Sequence, residues 1–248
     1  MTGTLWFVAA LLPFLFAQRW LHRQIQMLLY ILTRSPQWVM GIFSLLFLPG
    51  VFVHEASHYL AARLLGVRAR GFSLVPRMLP DGNMQLGAVT AEKADFFRDA
   101  LIGAAPLIVG GGLVALIAVY PLRMLPLVDA ASARNWDSLM VLLGATPRVP
   151  DFWLWLYLAF TISSTMTPSA SDRRAWVPVF VLISALIGSV VLLGAGGWMS
   201  IYLAPYFEQG MASAALVLVF SLGIHLVLGL PLMLLVRIAV RLSGLRIA

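Results

Sequence analysis

Long apolar runs constrain this chain more than any other feature of its sequence. Six of them are candidate membrane spans, at about residues 3–17, 38–65, 101–121, 152–168, 175–203 and 212–240. A run of about 20 apolar residues can cross a bilayer core as a helix. Hydrophobic residues make up 61% of the 248 residues and charged residues 11%, a balance that a water-soluble fold could not bury. The sequence therefore predicts an all-α polytopic membrane protein with about six transmembrane helices.

The remaining composition narrows the function classes. No linker or repeat divides the chain, so we expect a single membrane domain over residues 1–248. The chain has no cysteine, which excludes thiolate ligands and leaves histidine and carboxylate to hold any metal. The net charge is +7, but the basic residues flank apolar runs. They are best explained as topology signals and lipid contacts, so we expect the lipid bilayer and no nucleic acid as a partner.

The distribution of Arg and Lys predicts the orientation. Six spans with a cytoplasmic C-terminus place most of the basic residues inside, including Arg63 and Arg237. We therefore expect a protein of the cell (inner) membrane with a cytoplasmic C-terminus. Residues 18–36 fit less well, because Arg23 and Arg34 fall outside. Their mixed character is typical of an amphipathic helix lying in the membrane interface.

A short segment between the second and third spans has β character. Two apolar, β-prone runs at about residues 71–90 flank the turn sequence Pro80-Asp-Gly-Asn83, which predicts a β-hairpin. An open strand edge cannot face lipid. The hairpin must therefore be buried in protein, line a wet cavity or lie at the interface.

The second span ends with the sequence His54-Glu55-Ala-Ser-His58. Residues i and i+4 share one face of a helix, so His54 and His58 can offer two imidazole nitrogens to one metal ion. Glu55 lies beside them, where it can take a proton from a water molecule. The alternative is a pair of interfacial histidines near the helix end, paired with Glu55, which leaves this spacing unexplained.

A catalytic zinc site usually has three protein ligands, so a third must come from elsewhere. Asp172 is the leading candidate, because Pro168 ends the fourth span and Asp172 follows before the fifth begins. The alternative role for Asp172 is a helix N-cap. His225 is the second candidate ligand, although a lone histidine on an apolar helix is more often a packed residue. His22 and Asp151, at span edges, are adequately explained as solvated residues.

These motifs resemble those of the site-2 protease family of intramembrane zinc metalloproteases. In that family one core span carries His-Glu-x-x-His near its cytoplasmic end, and a later Asn-x-x-Pro…Asp-Gly motif supplies the third zinc ligand. Here the first motif is complete. In the second, Thr165 stands in place of Asn, Pro168 matches, Asp172 matches with a spacing one residue short, and Arg173 replaces Gly.

Two further segments contribute to the resemblance, which covers about residues 38–200. The stretch Gly103-Ala-Ala-Pro106 is similar to a small-residue motif of the family's middle span, although close helix packing explains it equally well. The hairpin at 71–90 is similar to a re-entrant β-element beside the family's active site.

The resemblance implies a zinc-dependent intramembrane endopeptidase that hydrolyses a membrane protein substrate. One Zn²⁺ per chain would be held by His54, His58 and Asp172, with Glu55 as the catalytic base, and water would enter through a polar cavity. Two alternatives remain: a catalytically inactive scaffold or regulator of the same fold, and a metal-ion transporter. The clustering of ionisable residues near one side argues against transport.

Overall fold

The computed structural model describes residues 3–79 and 84–243, which form a mostly helical molecule. Its helices are α1 (Gly3–Thr33), α2 (Pro36–Leu46), α3 (Leu48–Leu64), α4 (Phe96–Val119), α5 (Leu125–Ser132), α6 (Trp136–Ala145), α7 (Phe152–Thr165), α8 (Trp176–Val190), α9 (Gly196–Tyr202) and α10 (Ala204–Ser243). Its strands are β1 (Ala69–Ser73), β2 (Arg77–Met78), β3 (Met84–Gln85) and β4 (Ala88–Ala91).

Several of these helices are long and apolar enough to cross a membrane. They are α1, α4, the continuous segment Trp176–Tyr202 and α10, four in all, and the bent pair α2–α3 passes the same test as a unit. Helix α7 is apolar but has only 14 residues. By length and composition the chain is thus a membrane protein with four or five candidate spans among its described residues, where the sequence predicts about six.

Helices α2 and α3 meet at a sharp elbow. They are bent by 70°, and Pro49 lies in the first turn of α3, where its missing N–H ends the helical hydrogen bonding of α2. Phe47 lies at the elbow with its side chain fully buried. The His22 ring packs edge-on against Phe47, with its ring centroid 4.8 Å away. His22 Nε2 is buried and has no hydrogen-bond partner among the described residues, so the expectation of a solvated His22 is wrong, whereas Asp151 is exposed.

Helix α1 continues unbroken from Gly3 to Thr33, so the expected division into a span and a separate interfacial helix is not found. It packs along α10 in a parallel direction. The Thr4 backbone amide and hydroxyl donate to the Glu208 carboxylate at 3.1 and 2.8 Å. Further along, the ring of Phe14 contacts that of His225 at 5.4 Å. The residue numbers of the contacting pairs increase together along both helices, so the C-terminal ends of α1 and α10 lie at the same end of the bundle.

Helix α7 runs in the opposite direction to α10. The ring of Phe160 contacts that of His225 at 5.4 Å, whereas Met166, beyond the end of α7, packs in one apolar cluster with Leu218. Helix α3 runs parallel to α7. The backbone of Gly50 lies against that of Thr161, and one turn further along both helices His54 contacts Thr165. Helix α3 is therefore antiparallel to α10.

These directions correct one expectation from the sequence. The C-terminal end of α3, with Arg63, lies at the opposite end of the bundle from the C-terminal end of α10, with Arg237. The sequence interpretation put both ends on the cytoplasmic side, because it counted residues 175–203 as a full crossing. The antiparallel directions of α7 and α10 instead place the end of α7 and the start of α10 at the same end of the bundle. Arg34, at the end of α1, instead lies at the same end as Arg237.

We expect compartment reporters to show this arrangement. A reporter inserted at residues 92–95, beyond the strands that follow α3, and one fused to the C-terminus should lie on opposite sides of the membrane. A control insertion at Arg123, after α4, should agree with the C-terminal fusion, because α4 runs antiparallel to α3. Topology can be measured with an enzyme reporter that is active on one side only. Equal signals from the first two sites would contradict the antiparallel packing of α3 and α10.

The region predicted as a hairpin contains two antiparallel strand pairs, β1 with β4 and β2 with β3. The predicted turn, Pro80–Asn83, lies outside the described residues. The strands pack along α3, where the ring of Phe72 lies 6.0 Å from that of Phe52 and 6.4 Å from that of Tyr59. The β-segment is therefore supported by protein along α3, whereas a re-entrant position in the membrane stays a prediction.

Candidate metal centre

Three potential ligands converge where α3 meets the loop between α7 and α8. His54 and His58 project from successive turns of α3, and their Nε2 atoms lie 3.2 Å apart. Asp172, in the loop, places Oδ1 3.4 Å from His58 Nε2 and Oδ2 3.8 Å from His54 Nε2. One ligand atom from each residue lies within 4.8 Å of the others. The group could hold a metal ion.

Backbone carbonyl groups of neighbouring helices orient both imidazole rings. His54 Nδ1 lies 2.6 Å from the Thr165 carbonyl oxygen, at the end of α7, and His58 Nδ1 lies 2.9 Å from that of Ile102 in α4. A carbonyl oxygen can only accept a hydrogen bond, so each Nδ1 carries the proton. In a neutral ring the Nε2 lone pair is then free for a metal.

The resulting arrangement favours a cation. Two Nε2 lone pairs and a carboxylate facing one another repel unless positive charge lies between them. Burial by itself raises the pKa of Asp172, but a proton on the neighbouring His58 Nε2, which supplies positive charge, and the hydrogen bonds of Ser169 outweigh it and hold the pKa at about 2. The carboxylate is therefore ionised at neutral pH. The Asp172 carboxylate supplies negative charge beside the two imidazole rings, and a bound metal ion would supply the positive charge.

Asp172 is held by its own loop. The Ser169 backbone amide donates to Asp172 Oδ2 at 2.7 Å, and the Asp172 amide donates to the Ser169 hydroxyl at 3.3 Å. Helix α8 begins at Trp176, and its N-terminal amides receive no side-chain cap. The alternative role of Asp172 as an N-cap of the following helix is therefore wrong.

Glu55 lies between α3 and the β-segment, with its side chain buried. A Cβ atom placed on Gly87, which joins β3 to β4, would lie 2.7 Å from Glu55 Cγ and 2.9 Å from Oε1. Only glycine allows the β-segment to come this close. The carboxylate thus sits beside the histidine pair in a largely water-excluded position.

Small residues of α4 bring it close to the metal loop. A Cβ atom on Gly103 would overlap the backbone carbonyl of Asp172, and one on Gly110 would lie 2.7 Å from Met166 Cβ. Gly111 has no such neighbour within 4 Å. The small-residue stretch therefore serves close helix packing, and the contact it makes is with the loop that carries Asp172.

A matched pair of α4 variants should separate this contact from general helix effects. Gly103→Ala must displace the Asp172 backbone, so we expect a loss of about 1–3 kcal/mol in stability and weaker metal binding. Gly111→Ala, in the same helix, should leave both nearly unchanged. Thermal unfolding in detergent and a metal-binding titration measure the two quantities. Equal behaviour of the variants would contradict the role of Gly103.

No protein-family model, curated protein or solved structure matches the chain.

The second candidate ligand, His225, is not in the group. Its fully buried ring bonds through Nδ1 to the Ser221 carbonyl at 2.7 Å and through Nε2 to the Ser164 hydroxyl at 2.9 Å. Sequence reasoning missed the two carbonyl groups that orient the ligand rings, which carry no residue-type signal. It also missed Gln18, a buried amide in an apolar run.

A polar cavity at the metal site stays a prediction. A cavity of 490 Å³ lies between α1, α2 and the strands β2 and β3, lined by residues such as Arg23 and Met84 and by none of the metal-site residues. The side chains of His54, His58 and Asp172 instead keep 14%, 10% and 16% of their surface exposed. The three side chains are therefore not completely enclosed by the protein.

Proposed function

We propose that this chain is a zinc-dependent intramembrane endopeptidase. The observation that carries the proposal is the convergence of His54 Nε2, His58 Nε2 and the Asp172 carboxylate on one point. With bonds of about 2.0–2.1 Å to a tetrahedral zinc ion, neighbouring ligand atoms lie about 3.3–3.4 Å apart. The separations of 3.2, 3.4 and 3.8 Å agree with these values within the adjustment that a bound ion would bring.

The donor set also suits zinc in a catalytic role. Two imidazoles and one carboxylate are a known catalytic combination for zinc, and they leave a fourth position free. Zinc bound there supplies Lewis acidity, which makes water acidic near neutral pH and polarises a carbonyl group. The C-terminal end of α7 contacts His54 through the Thr165 carbonyl group, and the partial negative charge of that helix end adds to the attraction for a cation.

Glu55 would act as the general base. It takes the proton of the attacking water and then delivers that proton to the leaving amine, which is the role its position beside the histidine pair allows. Its burial against Gly87 keeps it out of bulk water. The packing of the β-segment over Glu55 also places a strand pair next to the reacting position.

The substrate would be a membrane protein. A peptide bond in a transmembrane helix is hidden by helical hydrogen bonds, so the substrate must first unwind. The freed backbone groups then need partners, and an added strand along the β1–β4 pair can supply them. In the described part of the chain β1 and β4 pair only with each other, so each has a free edge.

The alternative of an inactive scaffold was based on two departures from the second family motif, Thr165 in place of Asn and Arg173 in place of Gly. Neither change removes the features that the proposal needs. Thr165 contributes its backbone carbonyl, which any residue carries, and Asp172 lies beside both imidazoles despite the short spacing. A transporter would use ligands along a path across the membrane, whereas the metal-ligand group found among the described residues is a single cluster.

Cleavage by the purified chain tests the proposal. The protein in detergent micelles would be incubated with a panel of single-span peptides, and products would be identified by mass spectrometry. We expect cleavage within or beside the apolar segment, loss of cleavage with a chelator and recovery with added Zn²⁺. Cleavage that persists in excess chelator would contradict a metal-dependent mechanism, and the absence of cleavage in a metal-loaded protein would favour a scaffold.

A further inference from the structure

A buried polar network lies behind the metal centre, next to apolar contacts of the α1–α10 interface. It consists of Gln18 from α1, Ser164 and Thr167 at the end of α7, and His225 from α10. Gln18, Ser164 and His225 keep 6%, 2% and 0% of their surface exposed. One turn before Gln18, the same interface is built from Phe14 and Leu218. Burying amide and imidazole groups is costly unless each is bonded, so their concentration at this level needs a reason.

Gln18 holds the segment that leads to the ligand loop. Its Nε2 donates to the Ser164 carbonyl oxygen at 2.5 Å and to the Thr167 hydroxyl at 3.0 Å. The carbonyl can only accept, so the side-chain nitrogen must face it. The last carbonyl groups of a helix have no partner inside that helix. Gln18 satisfies the carbonyl of Ser164, and His54 satisfies that of the next residue, Thr165.

His225 holds the same residue from the other side. Its Nδ1–H donates to the Ser221 carbonyl, so its Nε2 accepts from the Ser164 hydroxyl at 2.9 Å. Ser164 is thus fixed through both its backbone and its side chain by two different helices. The next residue orients one imidazole of the metal centre, and the chain then passes through Thr167 to Asp172.

We infer that Gln18 and His225 are positioning residues of the metal centre, acting through the end of α7. They hold the C-terminal end of α7 in place. They therefore determine the position of the Thr165 carbonyl group, which orients His54, and the position at which the loop that carries Asp172 begins. The inference rests on the metal centre of the proposed function. It makes α1 and α10, which contribute no ligand, part of the machinery of the site.

Metal binding by purified full-length variants tests the inference. Gln18→Met keeps the length of the side chain and removes the amide donor, so we expect zinc affinity to fall on the order of tenfold, as for other residues that orient ligands. Thr167→Val removes an acceptor at constant shape and should weaken binding in the same direction, whereas Thr167→Ser keeps the hydroxyl and should restore it. Val236→Ala, a buried α10 site 11 residues beyond His225, is the control for loss of packing.

Two readouts separate positioning from stability. Zinc affinity is measured by competition with a chelator, and the visible spectrum of the Co²⁺-loaded protein reports ligand geometry. We expect Gln18→Met and Thr167→Val to change both, and Val236→Ala to lower only the unfolding temperature. If the wild type binds neither metal, the proposed metal centre fails. If the wild type binds both metals, and Gln18→Met and both Thr167 variants bind them with the same affinity and the same spectrum, only the positioning role fails.

Discussion

Replacing Asp172 with alanine is expected to abolish stoichiometric metal binding. Purified wild-type protein should carry about one zinc ion per chain, as a site with two imidazoles and one carboxylate implies. The variant keeps the histidine pair but loses the carboxylate that lies 3.4 Å from His58 Nε2. We expect affinity to fall on the order of a hundredfold or more, above the 10–100-fold typical of residues that only orient a ligand.

Metal content is measured by elemental analysis after dialysis against a weak chelator. Asp137→Ala is the matched control, because Asp137 is an exposed aspartate in the first turn of α6 and should leave the zinc content unchanged. A variant that unfolds would also lose metal, so the comparison is made at equal helical content. Full zinc occupancy in folded Asp172→Ala protein would show that the third ligand lies elsewhere, and the zinc site as proposed would be wrong.

Replacing Glu55 with glutamine is expected to stop hydrolysis while the metal stays bound. The amide has nearly the same shape but cannot take a proton from water, and a positioned general base contributes about 10²–10⁴-fold in rate. Glu55 is not one of the three residues whose ligand atoms converge, so zinc content should match that of the wild type. This separation of binding from turnover distinguishes a base from a ligand.

The measurement is the cleavage rate of a single-span peptide that the wild type cleaves, together with zinc content. Glu92→Gln is the control: Glu92 forms an exposed ion pair with Arg70 at 2.6 Å beyond β4, away from the histidine pair. We expect Glu92→Gln to cleave at the wild-type rate. Undiminished cleavage by zinc-loaded Glu55→Gln protein would assign the base to another group.

The two halves of the metal centre differ in how far they could be predicted. The pairing of His54 with His58 follows from helical periodicity, because a spacing of four residues puts two side chains on one face of any helix. The position of Asp172 does not follow from any local rule. It lies 114 residues beyond His58. Its position near the histidines depends on Gly103 of α4, which lets the Asp172 backbone come close, and on the Ser169 amide, which donates to its carboxylate within the loop.

The departure at Thr165 shows the same limit at a single residue. In the sequence, Thr165 in place of Asn looks like the loss of a motif residue. In the folded molecule the group that contacts His54 is the Thr165 backbone carbonyl, and the Thr165 hydroxyl bonds within its own helix to the Thr161 carbonyl at 3.0 Å. Backbone groups have no residue type, so a motif cannot record their contribution.

The sequence by itself determined that this is a helical membrane protein with two histidines and a carboxylate close together on one helix. These properties depend on the length of apolar runs and on helical spacing, both of which are local. Only the tertiary structure decided which distant carboxylate joins the pair, that α1 and α10 run parallel, and that Gln18, His225 and the Nε2 atom of His22 are buried. These depend on how helices far apart in sequence pack together, and in an apolar surrounding many pairings bury similar surface, so hydrophobicity alone cannot choose among them.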